Sequence, residues 1–176
     1  MRQLGRRNVL ALGFVLSGCG FQPVYMPTAS GKAGVAQREL AAIHVNLIPD
    51  RPGQELRQAL QQRLELSGGD VKQRYDLQVG FSVAGEGIAV QDDNTATRIR
   101  LIGTALWTLT AQDSARTRLS HGFAKAVDAM NILDSQYFAA DLENEAVQKR
   151  IAEALADQIT IQLAAYFRKR AATAAS

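Results

Sequence analysis

Cys19 is the only cysteine in the 176-residue chain, and the residues before it define its chemistry. Three arginines and no acidic residue lie around the start of an apolar run at residues 9–16, and Ser17 and Gly18 follow that run. A basic start, a short apolar segment and a small-residue exit are typical of a secretory signal peptide. The run is far shorter than the ~20 apolar residues that span a bilayer. We therefore expect Cys19 to open an exported chain in which no internal disulfide can form.

The segment Leu16-Ser17-Gly18-Cys19 resembles the lipobox of bacterial lipoproteins. The resemblance implies that residues 1–18 are the signal peptide, that the Cys19 thiol carries diacylglycerol and that its new amino group is acylated after cleavage. These covalent lipids are the only added groups expected; no cofactor is predicted. Two or more acyl chains hold a protein to a membrane stably, whereas one holds it marginally. The alternative is a buried structural cysteine behind an ordinary signal peptide.

Gly20 and the pair Arg6-Arg7 bear on the destination and route of the exported chain. In lipoproteins of this kind, an aspartate after the cysteine usually retains the protein in the inner membrane. Gly20 at that position predicts a lipid anchor in the outer membrane, with the protein at its periplasmic face. Paired arginines occur in twin-arginine leaders and in Sec leaders, so the export route stays open.

Four arginines are the candidates for binding an anionic ligand. Arg98 and Arg100 lie two apart on one predicted strand, as do Arg116 and Arg118 on the next, so each pair shares a face. A guanidinium donates paired hydrogen bonds to phosphate. If the two strands form a hairpin, the pairs lie at opposite ends and form separate patches. The alternative for each arginine is a solvated residue that pairs with an acid such as Glu86 or Asp113.

Composition and spacing argue against several other functions. Without the leader, 20 − 3 = 17 basic side chains face 17 acidic ones, so the precursor's charge of +3 gives no reason to expect a nucleic-acid partner. The two histidines, His44 and His121, are too isolated to form a zinc site. The Asp-Asp-Asn run at 92–94 lacks the spacing of an EF-hand calcium loop and is typical of a turn. No nucleotide-binding or hydrolase motif is present, so an enzyme is not expected.

Hydrophobic periodicity predicts four strands and two helices. Alternating apolar residues indicate strands at 43–47, 75–84, 97–109 and 116–127. Stripes with helical spacing indicate helices at 52–64 and 141–168. The order β-α-β-β-β-α predicts an α+β fold, in which two helices pack on one face of a four-stranded mixed, mostly antiparallel sheet.

Boundaries follow from the same patterns. Residues 19–37 are rich in Pro, Gly and small residues and are interpreted as a lipidated N-terminus with a flexible tether. Residues 38–170 are predicted to form a single domain, and residues 171–176 are predicted to be a disordered tail. In the fourth strand, Leu119, Phe123 and Val127 are assigned to one side.

The residues after Cys19 resemble the LPS-assembly lipoprotein family LptE. Members commonly open with Cys-Gly and an aromatic residue and continue with Gln/His-Pro-x-Tyr, matching Gly20-Phe21-Gln22-Pro23-Val24-Tyr25. The element order is also that of the family, and Ser135-x-Tyr137 with Glu145-Ala146-x-x-x-Arg150 resembles its last helix. An interfacial role for the two aromatics is the alternative.

This resemblance implies a non-enzymatic lipoprotein of lipopolysaccharide transport. The expected partners are the outer-membrane β-barrel LptD, which it would plug and help to assemble, lipopolysaccharide, and outer-membrane lipid through Cys19. Lipid A phosphates would be the natural ligands of the arginines. The alternative from another class is an auxiliary lipoprotein of a different envelope transporter, which needs the same anchor and a similar small domain.

Overall fold

The computed structural model describes residues 34–64, 71–90, 96–131 and 137–174. Three helices and four strands follow in the order α1 (Val35–Ala41), β1 (Ile43–Val45), α2 (Arg51–Leu64), β2 (Tyr75–Val90), β3 (Ala96–Ala111), β4 (Arg118–Asn131) and α3 (Tyr137–Ala174). The signal peptide, most of the predicted tether and the predicted turn at 92–94 lie outside the described residues.

The four strands form one sheet in the order β1-β2-β3-β4. β1 runs parallel to β2, whereas the other neighbours are antiparallel. The predicted α+β fold with a mixed, mostly antiparallel sheet is therefore confirmed. β2 continues beyond the predicted strand 75–84 through Gly85-Glu86-Gly87, because these residues pair with β3 before the register shifts near Ala89.

The helices cover one face of the sheet, and the core lies between the two layers. α3 packs on α1, α2, β3 and β4. Its apolar stripe is almost completely inaccessible to solvent: Val147, Ile151, Leu155, Ile159, Leu163 and Phe167. On the sheet, Leu77, Ala105, Trp107 and Leu109 face this stripe and are equally buried. The opposite face of the sheet carries no described helix and is called the free face below.

α3 is one helix of 38 residues, ten more than the sequence indicated. At about 1.5 Å per residue it spans roughly 57 Å, and a 16-residue strand such as β3 spans roughly 53 Å at about 3.3 Å per residue. The helix thus matches the length of the sheet that it covers. The predicted disordered tail is wrong for residues 171–174, which belong to α3. No described helix is long and apolar enough to cross a membrane.

The short helix α1 was not predicted, and residues 35–37 of the predicted tether belong to it. Ala36 and Leu40 are buried, so the segment is part of the core layer. Glu39 anchors it to β2, because its Oε2 accepts a hydrogen bond from the Tyr75 hydroxyl at 2.6 Å and pairs with Arg74 at 3.0 Å. Seven residues are too few to show a helical stripe in the sequence.

An ion pair between α2 and α3 should make the stability of the fold depend on pH in the acid range. Arg63 donates two hydrogen bonds to the Asp157 carboxylate, at 2.5 and 3.1 Å. These bonds hold the pKa of Asp157 below its usual value. A carboxyl with a depressed folded pKa stabilises the fold above its unfolded pKa of about 3.9 and loses that effect as the pH falls through the folded value.

We therefore expect Asp157→Asn to lower stability at pH 7 by less than about 1 kcal/mol, because the pair is partly exposed. The deficit should shrink as the pH falls below about 4. Urea unfolding between pH 2.5 and 7 measures it, with Glu153→Gln as control, since Glu153 is exposed on the same helix. A deficit that is unchanged at pH 2.5 would contradict the assignment to this ion pair.

Candidate functional site: the free face of the sheet

Of the predicted site residues, Cys19 lies outside the described residues, and lipidation stays a prediction. The four arginines are all described and all exposed. Arg98 and Arg100 are on β3, whereas Arg116 and Arg118 lie at the turn that leads into β4. From position 98 to position 110, which faces Arg118, the strand advances 12 residues, or roughly 40 Å. The predicted separation of Arg98 and Arg100 from Arg116 and Arg118 is confirmed.

Arg100 is paired with an acid. It lies directly opposite Glu86 in the β2–β3 register, and its Nη2 donates to Glu86 Oε2 at 2.7 Å. Arg100 is therefore a solvated residue that pairs with Glu86, as the alternative in the sequence analysis stated. Arg98 lies opposite Asn131 and makes no ion pair with any other described residue. Among the described residues of this patch, Arg98 has its charge available.

Arg116 is structural, and its assignment to a strand was wrong. β4 begins at Arg118, and Arg116 lies in the preceding turn with a left-handed backbone, φ 49°. Its Nη1 pairs at 2.8 Å with Asp76 Oδ2, while Gln112 Nε2 donates to the other carboxylate oxygen at 2.8 Å. Asp76 is buried, and a buried carboxylate needs such partners. Arg116 and Arg118 therefore do not act as a matched pair on one strand.

Asp113, which the alternative for the arginines offered as a possible partner, instead closes the turn. It accepts hydrogen bonds from the backbone N–H and the hydroxyl of Thr117, both at 3.0 Å. The backbone N–H of Thr117 is the main cause that holds the pKa of Asp113 below its usual value. The acid that pairs with Arg116 is therefore Asp76, from the start of β2.

The free face also carries an apolar strip that the sequence analysis missed. Leu106 faces Phe123 across β3 and β4, and Ile102 faces Val127 in the same register. Leu106, Phe123 and Val127 are 66%, 52% and 54% exposed. The polar pair Thr104 and Lys125 lies between these two apolar pairs on the same face. Clustered exposed apolar residues mark contact surfaces more often than single ones do. We call these four residues the apolar strip.

The assignment of Leu119, Phe123 and Val127 to one side of β4 is wrong. A register shift near Leu109 separates Leu119, which packs on the core, from the other two, which face solvent. The core side of β4 is instead built from smaller residues such as Ala124 and Ala126, because α3 packs closely there. The overlooked signal was in β3, where Ile102 and Leu106 fall in the polar phase of the alternation.

The described residues form no metal site. No three His, Cys, Asp or Glu side chains in the described ranges come together as a metal site. His44 is on β1 and His121 on β4, the two outer strands of the sheet. One open surface depression on α2, of about 320 Å³, is lined by polar side chains: Arg51, Gln54, Glu55, Arg57, Gln58 and Gln61.

A family model described as LptE, lipopolysaccharide-assembly, matches residues 40–163. The chain belongs to this family. The match spans β1 to most of α3, so it covers the described domain and not the N-terminal motif that suggested the family. The protein is an envelope lipoprotein of lipopolysaccharide assembly, and its family is non-enzymatic.

Solved structures share the fold at low sequence identity. A Caulobacter crescentus CB15 protein described as a lipoprotein is 22% identical with a TM-score of 0.62, covering 76% of this chain and 96% of its own. The rare lipoprotein B of Shewanella oneidensis is 14% identical with a TM-score of 0.53, covering 70% and 92%. No curated protein matches the sequence. Both structural likenesses show the α+β architecture.

Proposed function

We propose that this LptE-family protein is anchored in the outer membrane through Cys19 and forms the lipopolysaccharide translocon with an LptD-type β-barrel, as its plug and assembly partner. The family match over residues 40–163 carries the proposal. The shape of the domain supports it, since a two-layer body roughly 55 Å long is suited to fill a barrel. Its polar helices suit a polar barrel interior, and the apolar strip offers a contact area.

Co-purification tests this function. Full-length tagged protein is extracted from outer membranes in mild detergent, and we expect a β-barrel of the lipopolysaccharide translocon to be recovered with it in equal amount. Depletion of the protein should also lower the abundance of that barrel and of surface lipopolysaccharide. Recovery with an unrelated envelope transporter, and never with a barrel, would contradict the proposal.

Cys19→Ser should leave an uncleaved or soluble, unlipidated precursor that has lost its outer-membrane anchor and keeps its fold. Without the thiol no diacylglycerol is attached, and the N-acylation that follows cleavage is also lost, so neither lipid signal for stable binding remains. The domain should keep its stability because Cys19 precedes all described elements. Membrane fractionation and a thermal melt of the purified protein measure the two effects. Retention in the outer membrane, or a loss of cooperative melting, would contradict this prediction.

We also propose that lipopolysaccharide binds directly at the Arg98/Arg100 patch. Arg98→Glu should lower the affinity at least about tenfold, because a hydrogen bond to a charged group contributes about 1.5–3 kcal/mol. Arg98 is the better position to change, since Arg100 is held by Glu86. Stability should change by no more than about 0.5 kcal/mol.

The matched control is Arg118→Glu, which makes the same charge change at the other end of the sheet. Binding of purified protein to lipopolysaccharide is measured at low and high salt, with thermal melts alongside. If the site is exposed, the difference in affinity between the wild type and Arg98→Glu should shrink at high salt. Equal affinities for the two variants would leave Arg98 as an ordinary solvated residue.

A further inference from the structure

The two edges of the sheet, β1–β2 and β4, differ in how their outward main-chain groups are bonded. Side chains of α3 protect the β4 edge. On α3, the Gln158 side chain accepts from the Lys125 N–H at 3.3 Å and donates to the Lys125 carbonyl at 3.0 Å. Gln162 donates to the Phe123 carbonyl at 3.0 Å and accepts from Trp107 Nε1 at 2.9 Å. These side chains occupy outward main-chain groups of β4, which is one way to prevent strand addition.

The residues that the structure describes cover the β2 edge along only a fraction of its length. β1 pairs with residues 75–77, and the last bond on this side runs from the Asn46 N–H to the Leu77 carbonyl at 3.0 Å. Because main-chain groups alternate in direction along a strand, Val79, Phe81, Val83 and Gly85 point their N–H and C=O groups outward as Leu77 does. No hydrogen bond between described residues reaches these outward groups.

The usual devices that protect an edge are also missing from this stretch. Residues 79–87 contain neither lysine nor proline, and the one charge, Glu86, is held by Arg100. The bulge comes only near Ala89, where the register shifts. Beside the start of this open edge, Leu47 is 71% exposed just after β1. Natural proteins rarely leave a long, flat, unpaired edge without a partner.

We propose that the β2 edge from Val79 to Gly87 receives an extended segment of a second protein as an added strand. Main-chain hydrogen bonds give affinity in such an arrangement, and alternate side chains give specificity. Gly80, Ser82 and Ala84 line the free-face side of the edge, and their small side chains leave room for larger ones on the incoming segment.

A second copy of this chain is the less suitable occupant. On the free face, two such edges facing each other would bury mainly glycine, serine and alanine side chains, since Val79, Phe81 and Val83 already pack on the core side. That area is small against the 1,200–2,000 Å² or so that stable interfaces bury. A partner with larger side chains could cover Leu47 as well. The inference rests on the proposed function only in that the barrel protein is the expected source of the segment.

Amide hydrogen exchange at single-residue resolution tests the proposal on the full-length lipoprotein. Exchange is measured in isolated outer membranes, with native partners present, and on the same protein purified alone. We expect the outward amides of Val79, Phe81 and Val83 to slow by on the order of 100-fold in membranes. The Gln78 and Ser82 amides, which pair with β3, should be slow in both samples. The Lys125 amide, held by Gln158, is the control on the protected edge.

Gly85→Pro and Ala84→Pro form a matched pair of variants that remove an outward and an inward N–H of β2. Gly85→Pro is the test variant. It removes an outward N–H without breaking a β3 bond, and a Cβ there meets Leu101 and Ile99 at ordinary distances of 3.4 and 3.5 Å. The variant should fold and lose the protection in membranes. Ala84→Pro, which removes a bond to β3, should destabilise the fold instead.

Fast exchange of the three outward amides in membranes would overturn the proposal. Protection in the purified protein that rises with concentration, together with a dimer in sedimentation, would overturn it in favour of a second copy. Protection in membranes without recovery of any barrel would support the added strand and contradict the proposed function, so the two can fail separately.

Discussion

Leu155→Ala should lower the free energy of unfolding by about 2–5 kcal/mol, the usual effect of emptying a buried leucine site. Leu155 is 0% exposed at the centre of the α3 stripe and faces the sheet. The cavity would form between two rigid layers, a long helix and a long sheet, that cannot readily collapse into it. We therefore expect the cost to fall in the upper half of that range.

The matched control is Ile161→Ala on the same helix. Ile161 is 52% exposed, so removing its side chain should shift stability by no more than about 0.5 kcal/mol. Urea unfolding of both purified variants, followed by circular dichroism, measures the difference. Similar values for the two would mean that α3 does not lie on the sheet with Leu155 inward.

Gly103→Val should be the other strongly destabilising change, by about 1–3 kcal/mol or more. A Cβ at position 103 would lie 2.2 Å from Ile151 Cγ2 and 3.3 Å from Leu155 Cδ1. Both atoms belong to side chains with zero or almost zero exposure, so they have little space into which to move. Gly103 therefore sets how closely α3 approaches β3.

Gly80→Val is the control for the same substitution on the neighbouring strand. Its Cβ would meet only the Leu106 carbonyl oxygen, at 3.9 Å, and valine is favoured in strands. This variant should be neutral or slightly more stable. Adding Ile151→Ala to Gly103→Val should recover part of the lost stability, because it removes the clashing methyl group. Additive losses in the double variant would contradict the close approach at Gly103.

Recognising the family and finding candidate contact surfaces required different information. The family signal in the sequence came from Cys19 and the residues after it, whereas the family match covers residues 40–163. The apolar strip and the open β2 edge depend on register and layer order, so they emerged only from the structure. For the proposed translocon, those two surfaces are where partner contacts are expected.

Local periodicity determined the existence and type of the long elements. A strand with one buried face and a helix with one buried stripe leave repeats of 2 and 3.6 residues, and the residues 75–83 and 151–163 show them clearly. The α+β fold and the two separate arginine patches followed from those repeats and short turns. α1 did not, because seven residues carry too little periodic signal.

Only the tertiary structure decided which apolar residues are core. Phe123 and Val127 have core-like side chains, yet they face solvent because β4 shifts register near Leu109 and α3 packs closely on its other face. It also decided the roles of the arginines: Arg100 is held by Glu86 on the preceding strand, which the sequence offered only as an alternative, and Arg116 by Asp76, forty positions earlier in the chain. The Arg116 contact joins distant segments, so no local pattern encodes it.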